Sequence, residues 1–202
     1  MQIRNAIVAA VAALIGVGAH AATFERASSV GFTAPLAASP VTASDLVIDL
    51  TGITTDALEG DAANTVMYFD LGAGTLIDGI SYMTTMTAYS PSYLSEMAVT
   101  FTNSSGDGVI LTPGFEDTAP GTASYADSAM LSDYDLAFNL GADGMLKVEF
   151  HETFNDSSVN PDGLFVSGNL TFMNPVPEPG TYGLMAMGLL AVGGIVRRRR
   201  AA

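Results

Sequence analysis

Apolar and polar residues alternate with period 2 through most of the middle of the chain. Leu146, Val148 and Phe150 share one parity, and Lys147, Glu149 and His151 share the other. Met97, Val99 and Phe101 fall together, as do Val166, Gly168, Leu170 and Phe172. Period 2 sends alternate side chains to opposite faces of a strand, so each of these runs predicts a sheet with one buried and one wet face. Strands are expected over residues 46–53, 64–71, 79–89, 96–102, 108–112, 121–126, 129–139, 144–154 and 164–173. Between them stand turn sequences such as Asn103-Ser104-Ser105-Gly106-Asp107-Gly108, Gly141-Ala142-Asp143-Gly144 and Asn160-Pro161-Asp162-Gly163. The pattern predicts an all-β domain over 46–174, a two-sheet antiparallel sandwich with jelly-roll connectivity. Residues 22–45, with Pro35 and Pro40, read as a loosely ordered lead-in with one short strand near Ser29 to Thr33.

The two ends follow other rules. Arg4 precedes an uninterrupted apolar run, Ala6 to Ala19, and Ala19-His20-Ala21 offers small residues at the right spacing for signal peptidase. Residues 1–21 therefore read as a signal peptide with an apolar helix, cleaved after Ala21. At the other end, Asn174-Pro175-Val176-Pro177-Glu178-Pro179-Gly180 is a stiff extended linker, because each proline fixes its own φ and pushes its predecessor out of the helical region. The uncharged segment 181–196 reads as a transmembrane helix. At about 1.5 Å per residue it falls somewhat short of a bilayer core, a gap that snorkelling arginines cover. Arg197, Arg198, Arg199 and Arg200 stop transfer and stay cytoplasmic by the positive-inside rule, leaving the main domain outside.

A Val-Pro-Glu-Pro motif, a short membrane helix, an arginine block and then the chain end resemble the PEP-CTERM sorting signal. The parts here are Val176, Pro177, Glu178 and Pro179, then 181–196, then Arg197 to Arg200, all within a sorting segment at 175–202. The resemblance implies processing by an exosortase, a membrane-embedded transpeptidase-like enzyme of Gram-negative bacteria that make exopolysaccharide. It also implies a transient stay in the inner membrane and a final place at the cell surface or outside the cell.

Charge and composition narrow the chemistry. The chain has 21 acidic residues against 7 basic ones, and Arg26 and Lys147 are the only cations between the predicted cleavage site and the terminal arginines. So acidic a surface repels nucleic-acid phosphates, which excludes a nucleic-acid partner. With no cysteine there is no disulfide scaffold, thiol nucleophile, cysteine-based zinc site or iron–sulfur cluster.

The candidate chemistry is sparse. His151 is the only histidine after the predicted cleavage site, and its parity puts it on the wet face beside Lys147 and Glu149, a poor setting for a general base. Glu149 and Glu152 are three apart on a strand and point to opposite faces, and Glu149 could meet Asp135 or Glu96 only through strand pairing. Tyr82, Tyr89 and Tyr93 cluster in sequence and could grip a sugar in a chain without tryptophan. Calcium is the most plausible ligand. Asn155-Asp156 and Asn160-Pro161-Asp162, with Glu152 close by, form one oxygen-rich loop, giving Glu152, Asp156 and Asp162 as candidate ligands. Asp107 and Glu116-Asp117 are further acidic turns, and none has EF-hand spacing.

The strand Asp143 to Phe150, the acidic loop after it and Gly168 to Phe172 resemble the closing strands of P-domain-like jelly rolls. That resemblance implies fold and no function. The reading is thus an exported non-enzymatic cell-surface or matrix protein. A carbohydrate-binding module for exopolysaccharide stands second, and an exported hydrolase third.

Overall fold

The computed structural model describes residues 9–11, 22–33, 39–40, 45–156, 158–173 and 175. The residues Ala19 and Ala21, the motif Val176 to Pro179, the helix expected over 181–196 and Arg197 to Arg200 lie outside the described residues.

The strands are β1 (Ala9–Val11), β2 (Ala22–Ser28), β3 (Ser39–Pro40), β4 (Leu46–Asp49), β5 (Ile53–Thr55), β6 (Thr65–Asp70), β7 (Leu76–Ile77), β8 (Gly79–Ala88), β9 (Met97–Thr102), β10 (Asp107–Thr112), β11 (Gly121–Met130), β12 (Phe138–Asn139), β13 (Met145–Glu152) and β14 (Gly163–Met173). The described helices are two short 3-10 turns, Leu94–Glu96 and Leu131–Tyr134. One sheet runs β1-β2-β10-β9-β13-β6-β3, and the other runs β11-β8-β14-β4 with β5 also paired to β14. A two-stranded ribbon joins β7 to β12. Every pairing is antiparallel except that of the two-residue β3 with β6.

The two sheets pack face to face through aromatic side chains. Phe101 on β9 meets Phe172 on β14 edge-on at 5.1 Å, and Phe150 on β13 meets Phe165 on β14 at 5.5 Å. All four rings are buried, together with Leu146, Val148, Met97 and Val99 on the inner faces that alternation assigns to them. Burial of such rings and aliphatic chains is the main stabilising term of a sandwich.

β14 departs from the expected parity. Phe165 is fully buried and Val166 is 40 % exposed, yet Leu170 and Phe172 face inward. The register with β8 shifts between Phe165, opposite Met86, and Ser167, opposite Thr85. This β-bulge inserts Val166 as an extra residue, so the inward set changes from odd to even numbers across it. Gly168 follows at φ +123°, and a Cβ there would lie 2.0 Å from the Met83 carbonyl, so the close approach of β14 to β8 demands glycine.

Four expectations need correction. The first strand of the domain is β2 at Ala22–Ser28, not a stretch near Ser29 to Thr33, so the start of the lead-in belongs to the sheet. Phe24 is fully buried there, and Ala22 and Ala27 are buried as well. Ala9–Val11, expected in a signal helix, is strand and pairs Ala9 with Phe24 and Val11 with Ala22. The strand expected over 46–53 is two, β4 and β5, separated by a turn in which the Asp49 carboxylate accepts the Thr51 N–H at 2.9 Å and Gly52 has φ 81°. Lastly, no strand spans 129–139. β11 runs on to Met130, and the chain then makes a 3-10 turn because the Asp78 carboxylate accepts both the N–H (2.7 Å) and the hydroxyl (3.0 Å) of Ser132. Asp135 ends that turn in the left-handed region at φ 57°.

Candidate functional site

Four connections between the sheets gather at one end of the sandwich: 56–64, 89–96, 113–120 and 153–162. Strand registers put them there, since Gly163 lies opposite Ala88 and Thr55, Gly121 opposite Ala88, and Glu152 opposite Met97. Backbone hydrogen bonds then tie the loops to one another. Tyr89 N–H donates to the Asp162 carbonyl (2.8 Å), Leu94 N–H to that of Ala119 (3.1 Å), Ser95 N–H to that of Asp117 (3.0 Å) and Thr153 N–H to that of Glu96 (2.8 Å).

Inside this end lies a buried acidic cluster. Glu152 has the inward parity of Val148 and Phe150, so it projects into the interior where the apolar core ends. Asp162 immediately precedes β14. Both side chains are fully buried. Thr55 stands between them: its hydroxyl donates to Glu152 Oε1, and its carbonyl accepts the Asp162 N–H at 3.0 Å. Asp162 Oδ2 accepts the Asp156 N–H at 3.0 Å. Glu152 Oε2 and Asp162 Oδ1 have no hydrogen-bond partner. Glu96 joins from the 3-10 turn, its Oε2 accepting the Tyr93 N–H (2.8 Å) and the Ser92 hydroxyl (3.1 Å).

The electrostatics follow from that crowding. Burial pushes the Glu152 carboxyl up to about 8 against the opposing Thr55 hydrogen bond, and the charges of Asp162, Glu96 and Asp156 push it further in the same direction. Asp162 is raised by burial and by Asp156, Asp56 and Glu96, although the Asp156 N–H works against this.

Of the residues expected to ligate calcium, Glu152 and Asp162 are both buried at this end, and Asp156 meets Asp162 through its backbone N–H; among the described residues no three Asp, Glu or His side chains form a group that could hold a metal ion. Sequence reasoning missed Thr55 and Asp56, which reach the cluster through the pairing of β5 with β14. Glu96 had been considered only as a partner for Glu149. The other acidic turns do local work. Asn103 Oδ1 accepts the Ser105 and Asp107 N–H groups, and Asp117 accepts the Tyr125 hydroxyl at 2.9 Å.

The outward face of β13 is not the wet face expected of it. Glu149 is buried under the loop 56–64, its Oε1 accepting the Gly60 N–H (2.6 Å) and the Asn64 amide (2.9 Å), with Lys147 Nζ 2.6 Å from Oε2. Burial alone would raise its pKa, but Lys147, Gly60 and Asn64 together hold it below the ordinary glutamate value. His151 is 3 % exposed rather than open. Its Nδ1 donates to the Glu152 carbonyl at 3.0 Å, since a carbonyl can only accept, and its Nε2 is hydrogen-bonded to the Thr100 hydroxyl at 2.7 Å. Thr100 is buried as well. Glu149 and Glu152 do occupy opposite faces, and neither Asp135 nor Glu96 pairs with Glu149.

The tyrosines divide. Tyr82 points into the core, where burial raises its hydroxyl pKa, and it is lost as a ligand contact. Tyr89 and Tyr93 are exposed in the 89–96 loop, and Phe115, Phe154 and Leu58 are exposed in the three loops beside it. An apolar rim therefore surrounds the acidic end.

Residues 175–200 match the family model of the PEP-CTERM protein-sorting motif. The chain carries that motif at its C-terminus, and the motif implies an exported protein sorted by an exosortase to the cell surface. No curated protein matches the chain in sequence. Among solved structures, the crystal structure of dimeric latent PorU from Porphyromonas gingivalis aligns with 72 % of this chain and 14 % of its own, at 9 % identity and a TM-score of 0.33.

Proposed function

We propose that this is a non-enzymatic cell-surface or extracellular-matrix protein of an exopolysaccharide-producing Gram-negative bacterium. An acidic β-sandwich is exported across the inner membrane by a cleavable signal peptide and held briefly by a C-terminal helix. The exosortase then releases it. The match of residues 175–200 to the sorting motif carries this reading. β14 ends at Met173, so the motif follows the folded domain with almost no slack. Val176, Pro177, Glu178 and Pro179 would be presented as an extended, stiff strand that binds at low entropy cost. β2 begins at Ala22, the residue after the expected signal-peptidase cut. The strand orders β11-β8-β14-β4 and β10-β9-β13-β6 support jelly-roll connectivity. The burial of His151 and Thr100 favours a domain without catalysis.

Intact-mass measurement of the protein from the cell surface tests the reading. A chain beginning at Ala22 and lacking the segment 181–202 is expected. A surface protein that retains Arg197 to Arg200 would overturn it.

A second reading, a carbohydrate-binding module, draws on the exposed rings of Tyr89 and Tyr93 beside Phe154. Large rings at a loop end grip sugar faces. Retention on the organism's exopolysaccharide, lost in Tyr89→Ala and Tyr93→Ala, would favour it.

A further inference from the structure

We propose that Glu152 and Asp162 hold a calcium-class divalent cation at the loop end of the sandwich, with Thr55, Asp156 and Glu96 around it. Each of the two carboxylates is fully buried and keeps one oxygen without a hydrogen-bond donor, Glu152 Oε2 and Asp162 Oδ1. Buried carboxylate charge is costly unless a counter-charge or a coordination bond compensates it. The third such oxygen among the described residues, Glu149 Oε2, has the Lys147 ammonium beside it. Among the described residues no cation serves the other two. Lys147 is taken by Glu149, and the Arg26 guanidinium donates to the Asp135 carbonyl at the far end of the sandwich.

The donors select the ion. They are hard oxygens, with no cysteine in the chain and with the His151 ring nitrogens already engaged. Among the described residues no three Asp, Glu or His side chains form a ready-made ligand group. Two carboxylates supplemented by hydroxyl, carbonyl and water oxygens suit calcium, which accepts six to eight mixed oxygen ligands in a flexible geometry. Magnesium demands a tighter octahedron and keeps its water more firmly. A site with so few charges belongs to the weak extracellular range, with Kd of about 0.1–1 mM. The inference is independent of how the chain is sorted.

The test uses the purified full-length chain, stripped with EDTA and dialysed against calcium or magnesium chloride. One calcium bound per chain is expected, with a melting temperature about 3–10 °C higher at 10 mM calcium and a smaller rise with magnesium. Glu152→Gln and Asp162→Asn should abolish binding and the calcium response, while Asp107→Asn, in a turn at the opposite end, keeps both. In EDTA, Glu152→Gln should melt no lower than the parent, because it keeps an acceptor for Thr55 and replaces a carboxyl whose charged form burial disfavours. Melting lower by the same amount with and without calcium would assign Glu152 a purely structural part and overturn the proposal. So would equilibrium dialysis showing no calcium bound at 10 mM. Should one variant fail to fold, dialysis of the parent chain and the other variant decides.

Discussion

Lys147 Nζ lies 2.6 Å from Glu149 Oε2, two residues along the same strand, with the Glu149 side chain buried beneath the loop 56–64. The pair fastens that loop to the outer face of the sheet. Because the folded-state pKa of Glu149 lies below its unfolded value, the charged form stabilises the fold above the ordinary glutamate range, and this contribution is lost as pH falls through the folded pKa. Thermal melts from pH 7 down to pH 3 should show the parent losing stability faster below about pH 4.5 than Glu149→Gln does. At pH 7 the variant should be weaker by about 3 kcal/mol, since Lys147 is left without its partner. Parallel curves for the two proteins would refute the coupling.

The bulge on β14 makes a prediction opposite to simple alternation. Phe165→Ala should cost about 3–5 kcal/mol, because its ring is fully buried against Phe150. Val166→Thr should stay within about 0.5 kcal/mol, as expected for an exposed site. Urea denaturation of both variants checks the order, and the reverse order would restore the unbroken period.

Gly168→Ala should destabilise on the order of 3 kcal/mol, combining left-handed backbone strain with a methyl pressed onto the Met83 carbonyl. A melting temperature equal to that of the parent would mean that β14 does not approach β8 as described.

In the sorting segment, Glu178→Gln keeps the linker's stiffness and removes its only charge. If a cationic group of the exosortase reads that carboxylate, processing should slow by the worth of one charge-assisted hydrogen bond, about 1.5–3 kcal/mol, or roughly 10- to 150-fold. Replacing Arg197 to Arg200 with glutamine should instead loosen retention, so that uncleaved precursor escapes to the medium. Cell fractions probed with an antibody to the domain separate the two outcomes. Normal processing of both variants would reduce the segment to a passive anchor.

Much of the sandwich was legible in the sequence because its strands are half-buried and alternation records that directly. Leu146, Val148 and Phe150 are where their parity puts them. β2 was obscured because Ala22, Ala27 and Ser28 have the composition of a loose segment, and Phe24 alone marks its burial. Phe165 and Val166 were misassigned because an inserted residue leaves no trace in local pattern. The buried states of Glu149 and His151 had no local signal at all: what covers Glu149 comes from Gly60 and Asn64, far away in the chain. For the acidic cluster, Glu152, Asp156 and Asp162 could be read from one oxygen-rich loop. Thr55 could not, since only the pairing of β5 with β14 delivers it.

β14 also decides how the molecule bears load. It is hydrogen-bonded on both sides, to β8 and to β4 and β5, and its last residue, Met173, lies two positions before the matched motif. A pull on the C-terminus therefore acts along the axis of an interior strand. Its ladder bonds are strained in shear and share the load, whereas an edge strand peeled from its end would part with them one at a time. Pulling the chain from its C-terminus in a force spectrometer should show one high rupture event rather than a low plateau.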